Sequence, residues 1–238
     1  LEIIEVPLQL FEFESGVHEI AVHVYATEDL NAEDNTLRMA IAGSYPRDAV
    51  SITEIMFSPI SGQGGEWAEI KNTSATEISL QGWMLSDANS NQHLITDTQY
   101  FLQPDSLLTL CGNENLFEYF SITPDQGLIL DSWPTLNSAA DSLRLYDATG
   151  AAIASVYYRG SWGSSGFSLE RRHPALFPLA EWNWRPSNHA DGGTPSCTNT
   201  QLLDSVAVQI ESIVLDIPDT IGPAPAEIIV NFSNQGLD

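Results

Sequence analysis

The sequence predicts an all-β chain folded as antiparallel sandwich strands, and three observations carry that expectation. Nearly every apolar stretch is short, rich in β-branched or aromatic residues and closed by Gly, Pro, Asn or Asp. Period-two alternation is clear in Ile20, Val22 and Val24 around Ala21 and His23, and again in Val206, Val208 and Ile210 around Ala207 and Gln209. Turn signals recur at sandwich intervals: Glu14-Ser15-Gly16, Asn31 to Asn35, Asp147-Ala148-Thr149-Gly150 and Ser233-Asn234-Gln235-Gly236. The only helical signal is one turn or two between Asn113 and Phe120.

The punctuation divides the chain into three blocks. Residues 1–47 supply three strands and end at the linker-like Tyr45-Pro46-Arg47-Asp48; residues 48–200 hold all six tryptophans and both cysteines; residues 201–238 supply two or three more strands. A sandwich ordinarily takes about seven strands and ~100 residues, so each end block predicts only half of one. With 43% apolar residues among 238, the chain can bury a sizeable core.

Charge narrows the function classes. Against 32 acidic residues stand 8 basic ones, a net charge of −24 that repels phosphate backbones and anionic headgroups. Nucleic acid is therefore not an expected partner, and such acidity suits solubility outside the cell. No apolar run reaches the ~20 residues of a bilayer span, and no basic-then-apolar leader opens the sequence; any targeting signal is expected outside it. Cys111 and Cys197 lack metal-knuckle spacing; the expectation is two unpaired, half-buried thiols, with a single disulfide as the alternative.

In the central block, alternation through Glu66-Trp67-Ala68-Glu69-Ile70 puts Trp67 on one strand face, with Glu69 sharing its neighbourhood at the strand edge. Gly82 lets the backbone turn into the next strand, where Trp83 and Leu85 fill the space between sheets. Trp67, Trp83, Gly82 and Leu85 are thus the expected structural core. Glu170 and Arg171 read as an ordered structural pair.

No catalytic constellation emerges. The Gly160 to Ser168 cluster lacks the Gly-x-Ser-x-Gly spacing of a raised nucleophile and reads as a flexible loop. His18, His23, His93, His173 and His189 are scattered, with no i, i+4 pair. The run Asp87-Ala88-Asn89-Ser90-Asn91 begins like a calcium loop, but Gln92 stands where the turn glycine belongs and Thr98 where the bidentate Glu belongs. Asp29, Asn31, Glu33 and Asp34 form a denser acidic turn that could hold calcium weakly, a solvated hairpin turn being the plainer reading. No other metal and no cofactor is expected.

The central block resembles the lamin tail domain, an immunoglobulin-like sandwich. The resemblance rests on Ile52-Thr53-Glu54-Ile55-Met56, on Gly65-Glu66-Trp67-Ala68-Glu69-Ile70-Lys71-Asn72 and on Leu80-Gln81-Gly82-Trp83-Met84-Leu85-Ser86-Asp87. It continues through Leu102-Gln103-Pro104, Ser142 to Asp147, Ser168-Leu169-Glu170-Arg171 and Gly193-Thr194-Pro195, roughly 150 residues in all. The end blocks resemble the closing and opening halves of CARDB, an adhesion-type sandwich of bacterial cell-surface proteins, through Ser15 to Val22 and Asp29 to Thr36, and through Val206 to Ile210, Pro218, Gly222 and Val230 to Gly236. These resemblances imply a non-catalytic extracellular binding or spacer module of a large secreted or surface protein, with a protein or surface ligand. The alternative is an accessory domain of a secreted hydrolase, nuclease or phosphatase, whose catalytic part lies elsewhere. The DNA association of eukaryotic lamin tails is not expected at a net charge of −24. The two half-domains, each exposing an apolar face and unpaired strand edges, also predict that the tail completes the head, either within one molecule in circularly permuted order or by head-to-tail self-association between neighbouring molecules.

Overall fold

The computed structural model describes residues 14–25 and 35–203 and the strands within 208–216 and 227–234. The strands are β1 (Gly16–His23), β2 (Thr36–Gly43), β3 (Val50–Met56), β4 (Trp67–Asn72), β5 (Ile78–Ser79), β6 (Met84–Ser86), β7 (Gln92–Leu94), β8 (Phe101–Leu102), β9 (Leu107–Cys111), β10 (Gly127–Ile129), β11 (Ala140–Tyr146), β12 (Ala152–Arg159), β13 (Leu169–Arg171), β14 (Trp184–Pro186), β15 (Val208–Asp216) and β16 (Glu227–Asn234). One short helix, α1 (Asn115–Phe120), stands where the sequence allows a turn or two. The chain is all-β, an immunoglobulin-like sandwich.

Two sheets make the sandwich, one ordered β10-β9-β4-β3-β13-β14 and one ordered β12-β11-β6-β7. The strands of both sheets pair antiparallel except β10 on β9, which is parallel. β11 shows why its residues form a strand: Asp141, Leu143 and Leu145 are buried while Ser142, Arg144 and Tyr146 between them are half-buried, the period-two pattern of one covered face. Between the sheets, Ile52, Ile55, Ala68, Ile70, Leu108, Leu110, Leu169 and Trp184 meet Trp83, Leu85, Leu143, Leu145, Val156 and Tyr158, all essentially inaccessible to solvent. Each such side chain contributes about 1.5–3 kcal/mol by leaving water. Tyr158 stacks on Phe57 at 4.6 Å and donates its hydroxyl to the Asn137 carbonyl at 3.0 Å, so its polar end is satisfied.

The opposite face of the six-stranded sheet is also covered. Met56, Trp67 and Cys111 stand in one cross-strand row and pack with Leu116 of α1 and Ile122 as a second apolar cluster. Cys111 is therefore fully buried at the end of β9, whereas Cys197 is exposed, and both thiols are free. The expectation of two half-buried thiols is corrected on this point: a second layer over the sheet buries one, and a surface loop carries the other. Gly82 has φ +77°, the left-handed conformation a glycine adopts without strain, and turns the chain into Trp83. The Gly160 to Ser168 segment is built rather than loose. It opens with a 3-10 turn over Gly160–Trp162, forms a bridge between Ser164 and Phe167, and ends on the fully buried Ser168.

Residues 1–201 form one compact unit and residues 202–238 a second. In the first, β1 and β2 pair in full register as a hairpin. Its root is held by Asp147, whose Oδ2 accepts from the Ser44 hydroxyl at 2.8 Å and the Tyr45 amide at 2.9 Å. By register, Ile20, Val22, Leu37, Met39 and Ile41 share one face of this ribbon, with Leu37 66% and Met39 50% exposed. The Asp29, Asn31, Glu33 and Asp34 turn, and any strand before residue 14, lie outside the described residues. In the second unit β15 and β16 pair antiparallel, with an irregularity between Ile210 and Ser212.

Candidate functional site

The feature that sets this sandwich apart lies on the outer face of its larger sheet. Along β3 the inward residues Ile52 and Ile55 are three positions apart rather than two, because the ladder slips between Ile52 and Glu54. This bulge carries Glu54 to the outer face, directly opposite Glu69 of β4. Glu54 also pairs with Glu170 of β13, and Glu69 with Thr109 of β9. The sheet thus sets Glu170, Glu54 and Glu69 side by side in one row, and all three are completely buried.

The cover is the segment 187–201, which crosses the row as a strap. Its Thr194 amide donates to Glu54 Oε1 at 2.8 Å, its Ser196 amide to Glu69 Oε2 at 2.7 Å and its Gln201 amide to Glu170 Oε2 at 2.7 Å. Hydroxyls complete the set: Ser168 donates to Glu54 Oε1, Thr53 to Glu69 Oε1 at 2.7 Å and Thr200 to Glu170 Oε2 at 2.9 Å. Asn199 adds donations to the Thr53 and Arg171 carbonyls at 3.0 and 3.1 Å. Two buried glycines let the strap come this close. Gly192 has φ +85°, and a side chain on Gly193 would stand 2.8 Å from the Trp67 ring and 3.2 Å from Glu54 Oε1.

None of the ion pairs among the described residues includes these glutamates. The sequence expectation of a Glu170–Arg171 pair is corrected here: neighbours on a strand face opposite ways, and Arg171 donates instead to the Ile52 and Leu176 carbonyls. Nor does Glu69 sit at a strand edge, because β4 lies inside the sheet. Burial pushes the Glu54 carboxyl up to about 8, opposed by the Ser168 and Thr194 hydrogen bonds and reinforced by Glu170. Burial and then the Glu54 charge push Glu69 well above the usual carboxylate range. Removing a carboxylate from water costs several kcal/mol, against which each hydrogen bond to the charged group returns about 1.5–3 kcal/mol. Asp147 is the contrast: burial pushes it up as well, but donors from Thr149, Tyr45 and Ser44 outweigh that and hold it below the usual range.

The Thr194 hydroxyl bridges two of the carboxyls, lying 3.0 Å from Glu54 Oε2 and 3.1 Å from Glu170 Oε1.

A second feature is a rigid surface loop between β13 and β14. The buried Asn183 side chain accepts from the His173 amide and donates to the carbonyls of His173, Leu176 and Phe177. Trp184 Nε1 donates to the Pro178 carbonyl at 2.8 Å, and Arg171 to the Leu176 carbonyl at 2.7 Å. So pinned, the loop leaves Phe177, Leu179 and Trp182 exposed by 61%, 42% and 50%. Arg172 and Arg185 flank the Trp182 turn, donating to the carbonyls of Trp182 and Glu181. Three of the chain's eight cations fall between 171 and 185, against one acid.

Of the residues the sequence singles out, Trp67, Trp83 and Leu85 are fully buried core positions with no solvent access. Asp87 caps a turn by accepting from the Asn89 amide at 2.8 Å. Sequence reasoning missed the glutamate row and the exposed loop. The Ile52 to Ile55 spacing signalled the bulge; the proline-bounded Phe177-Pro178-Leu179, lacking alternation, signalled an apolar surface loop. Among the described residues no group of three or more His, Cys, Asp or Glu side chains is arranged to hold a metal ion, and no helix is long and apolar enough to cross a membrane. No curated protein matches the chain. Residues 44–160 match the family model described as Lamin Tail Domain, a span that takes in Glu54 and Glu69 and stops before Glu170 and the strap, so this stretch of the sandwich is similar to that family.

Proposed function

We propose that this chain is a non-catalytic binding and spacer module of a larger extracellular protein, secreted or displayed at a bacterial cell surface, with CARDB-like half-domains on either side of the lamin-tail-like sandwich. The observation that carries the binding role is the pinned 172–185 loop. Exposed aromatic side chains held by a rigid loop lose little entropy on binding, and apolar patches of this kind mark interaction sites. The neighbouring arginines favour a ligand with acidic groups beside an apolar face, on a protein or a surface glycan. Calcium and other cofactors have no part in this reading, and double-stranded DNA is not a partner. A Phe177→Ala/Trp182→Ala variant is expected to lose at least tenfold in affinity on arrays of acidic glycans and surface proteins, with thermal stability unchanged. Equal binding by both proteins would remove the loop from the site, and turnover in a broad hydrolase screen would remove the non-catalytic reading.

The exposed apolar face of the β1–β2 hairpin favours a further partner role, head-to-tail self-association in which it meets the 201–238 segment of a neighbouring copy. Sedimentation of the wild type should show concentration-dependent dimers or longer chains that Leu37→Asp/Met39→Asp abolishes. A wild type that stays monomeric at high micromolar concentration rejects this role.

A further inference from the structure

We propose that the 187–201 strap is a proton-held latch, closed while the Glu54 and Glu69 carboxyls beneath it keep their protons and loosened when they ionise. Three arrangements carry this. The row is completely buried, and its donors among the described residues are amides and hydroxyls, five of them from the strap itself. The Thr194 hydroxyl bridges Glu54 and Glu170, so a single strap residue joins two of the carboxyls. Among the described residues no cation pairs with the row, and Lys71, on the Glu69 face of β4, is held by Asp105 at 3.3 Å. Arg185 is the cross-strand neighbour of Glu170, but its guanidinium is turned to the Glu181 and Trp184 carbonyls.

The remaining titratable groups around the row do not supply the charge either. β9 contributes Thr109, whose hydroxyl is bonded to Ser196, and the buried Cys111. From α1, Tyr119 reaches only the Asp191 carbonyl, and Glu118 adds a further negative charge. On the strap, His189 and Asp191 are exposed and 3.6 Å apart, and Cys197 is exposed. Burial drives the Glu54 and Glu69 carboxyls toward the neutral form. On ionisation of Glu54 and Glu69, adjacent buried negative charges without a counter-ion draw water in, and the strap is the layer that can yield.

Amide hydrogen exchange on the full chain at pH 6 and pH 9, expressed as protection factors, tests this. The Thr194, Ser196 and Gln201 amides are expected to lose at least tenfold in protection relative to the Ile70 and Leu110 amides of the sheet. Glu54→Gln/Glu69→Gln, which imitates the neutral carboxyls and leaves Nε2 of residue 54 able to donate to the Thr194 hydroxyl, is expected to hold strap protection constant. His189→Gln, altering only the exposed pair, is expected to respond like the wild type. Constant relative protection in the wild type, or an equal loss in the double variant, overturns the latch. Should the double variant fail to fold, Glu54→Gln alone and the wild-type comparison of strap with sheet still decide.

Discussion

Trp83→Ala is expected to lower the free energy of unfolding of the 1–201 unit by about 3–5 kcal/mol, the range for emptying a large aromatic site in a packed core. Trp83 is fully buried among Leu85, Leu143 and Leu145 and lies 5.5 Å from the Tyr45 ring, so the hole opens both the inter-sheet core and the support of the hairpin root. One term acts the other way: Trp83 Nε1 is buried without a partner, and removing it recovers part of its desolvation cost. Trp83→Phe, which keeps most of the volume and drops the unpaired N–H, should therefore cost much less than Trp83→Ala. Urea denaturation with an unchanged m-value checks this. A midpoint for Trp83→Ala indistinguishable from the wild type would mean that the indole is not a core element.

The second large expected effect is a loss of stability as pH rises from 5 to 8. Folded-state values raised for Glu54 and Glu69 mean that the folded protein binds more protons than the unfolded chain, whose glutamates titrate near 4.5. Their contribution is fully present below about 4.5 and is lost as pH climbs through about 8 for Glu54 and through the likewise raised range of Glu69. Each proton of difference is worth about 1.4 kcal/mol per pH unit, so the loss over this interval is on the order of a few kcal/mol. Asp147 carries the opposite sign: its lowered value contributes stability above the ordinary aspartate range that is lost as pH falls through it, well below this window. Self-repulsion at a net charge of −24 acts in the same direction as the glutamates, and Glu54→Gln/Glu69→Gln separates the two. Denaturation midpoints at pH 5, 6, 7 and 8 should fall steeply for the wild type and gently for the variant. Parallel curves would assign the whole effect to net charge.

These expectations draw on different levels of the molecule. Local pattern was enough for the sandwich: short β-branched runs, the turn residues at Asp147 to Gly150 and the Gly82-Trp83 step are decided by neighbours in sequence, where side-chain alternation and left-handed glycines act. The same locality supplied the single helical turn before Phe120. The glutamate row was not legible in this way. Glu54, Glu69 and Glu170 are adjacent only because strands β3, β4 and β13 pair across long stretches of chain, and a one-residue bulge at Thr53 reverses the face that alternation assigns to Glu54. Counted along the strand, Glu69 and Glu170 look like ordinary solvent-facing acids. What removes them from water is Thr194, Ser196 and Gln201, arriving from a segment some 30 to 140 residues away in the chain. Composition and period determined that this protein is an acidic β-sandwich with buried tryptophans. Only tertiary pairing decided that three of its acids share one dry row, because burial and proton binding depend on what covers a side chain and not on its neighbours in sequence.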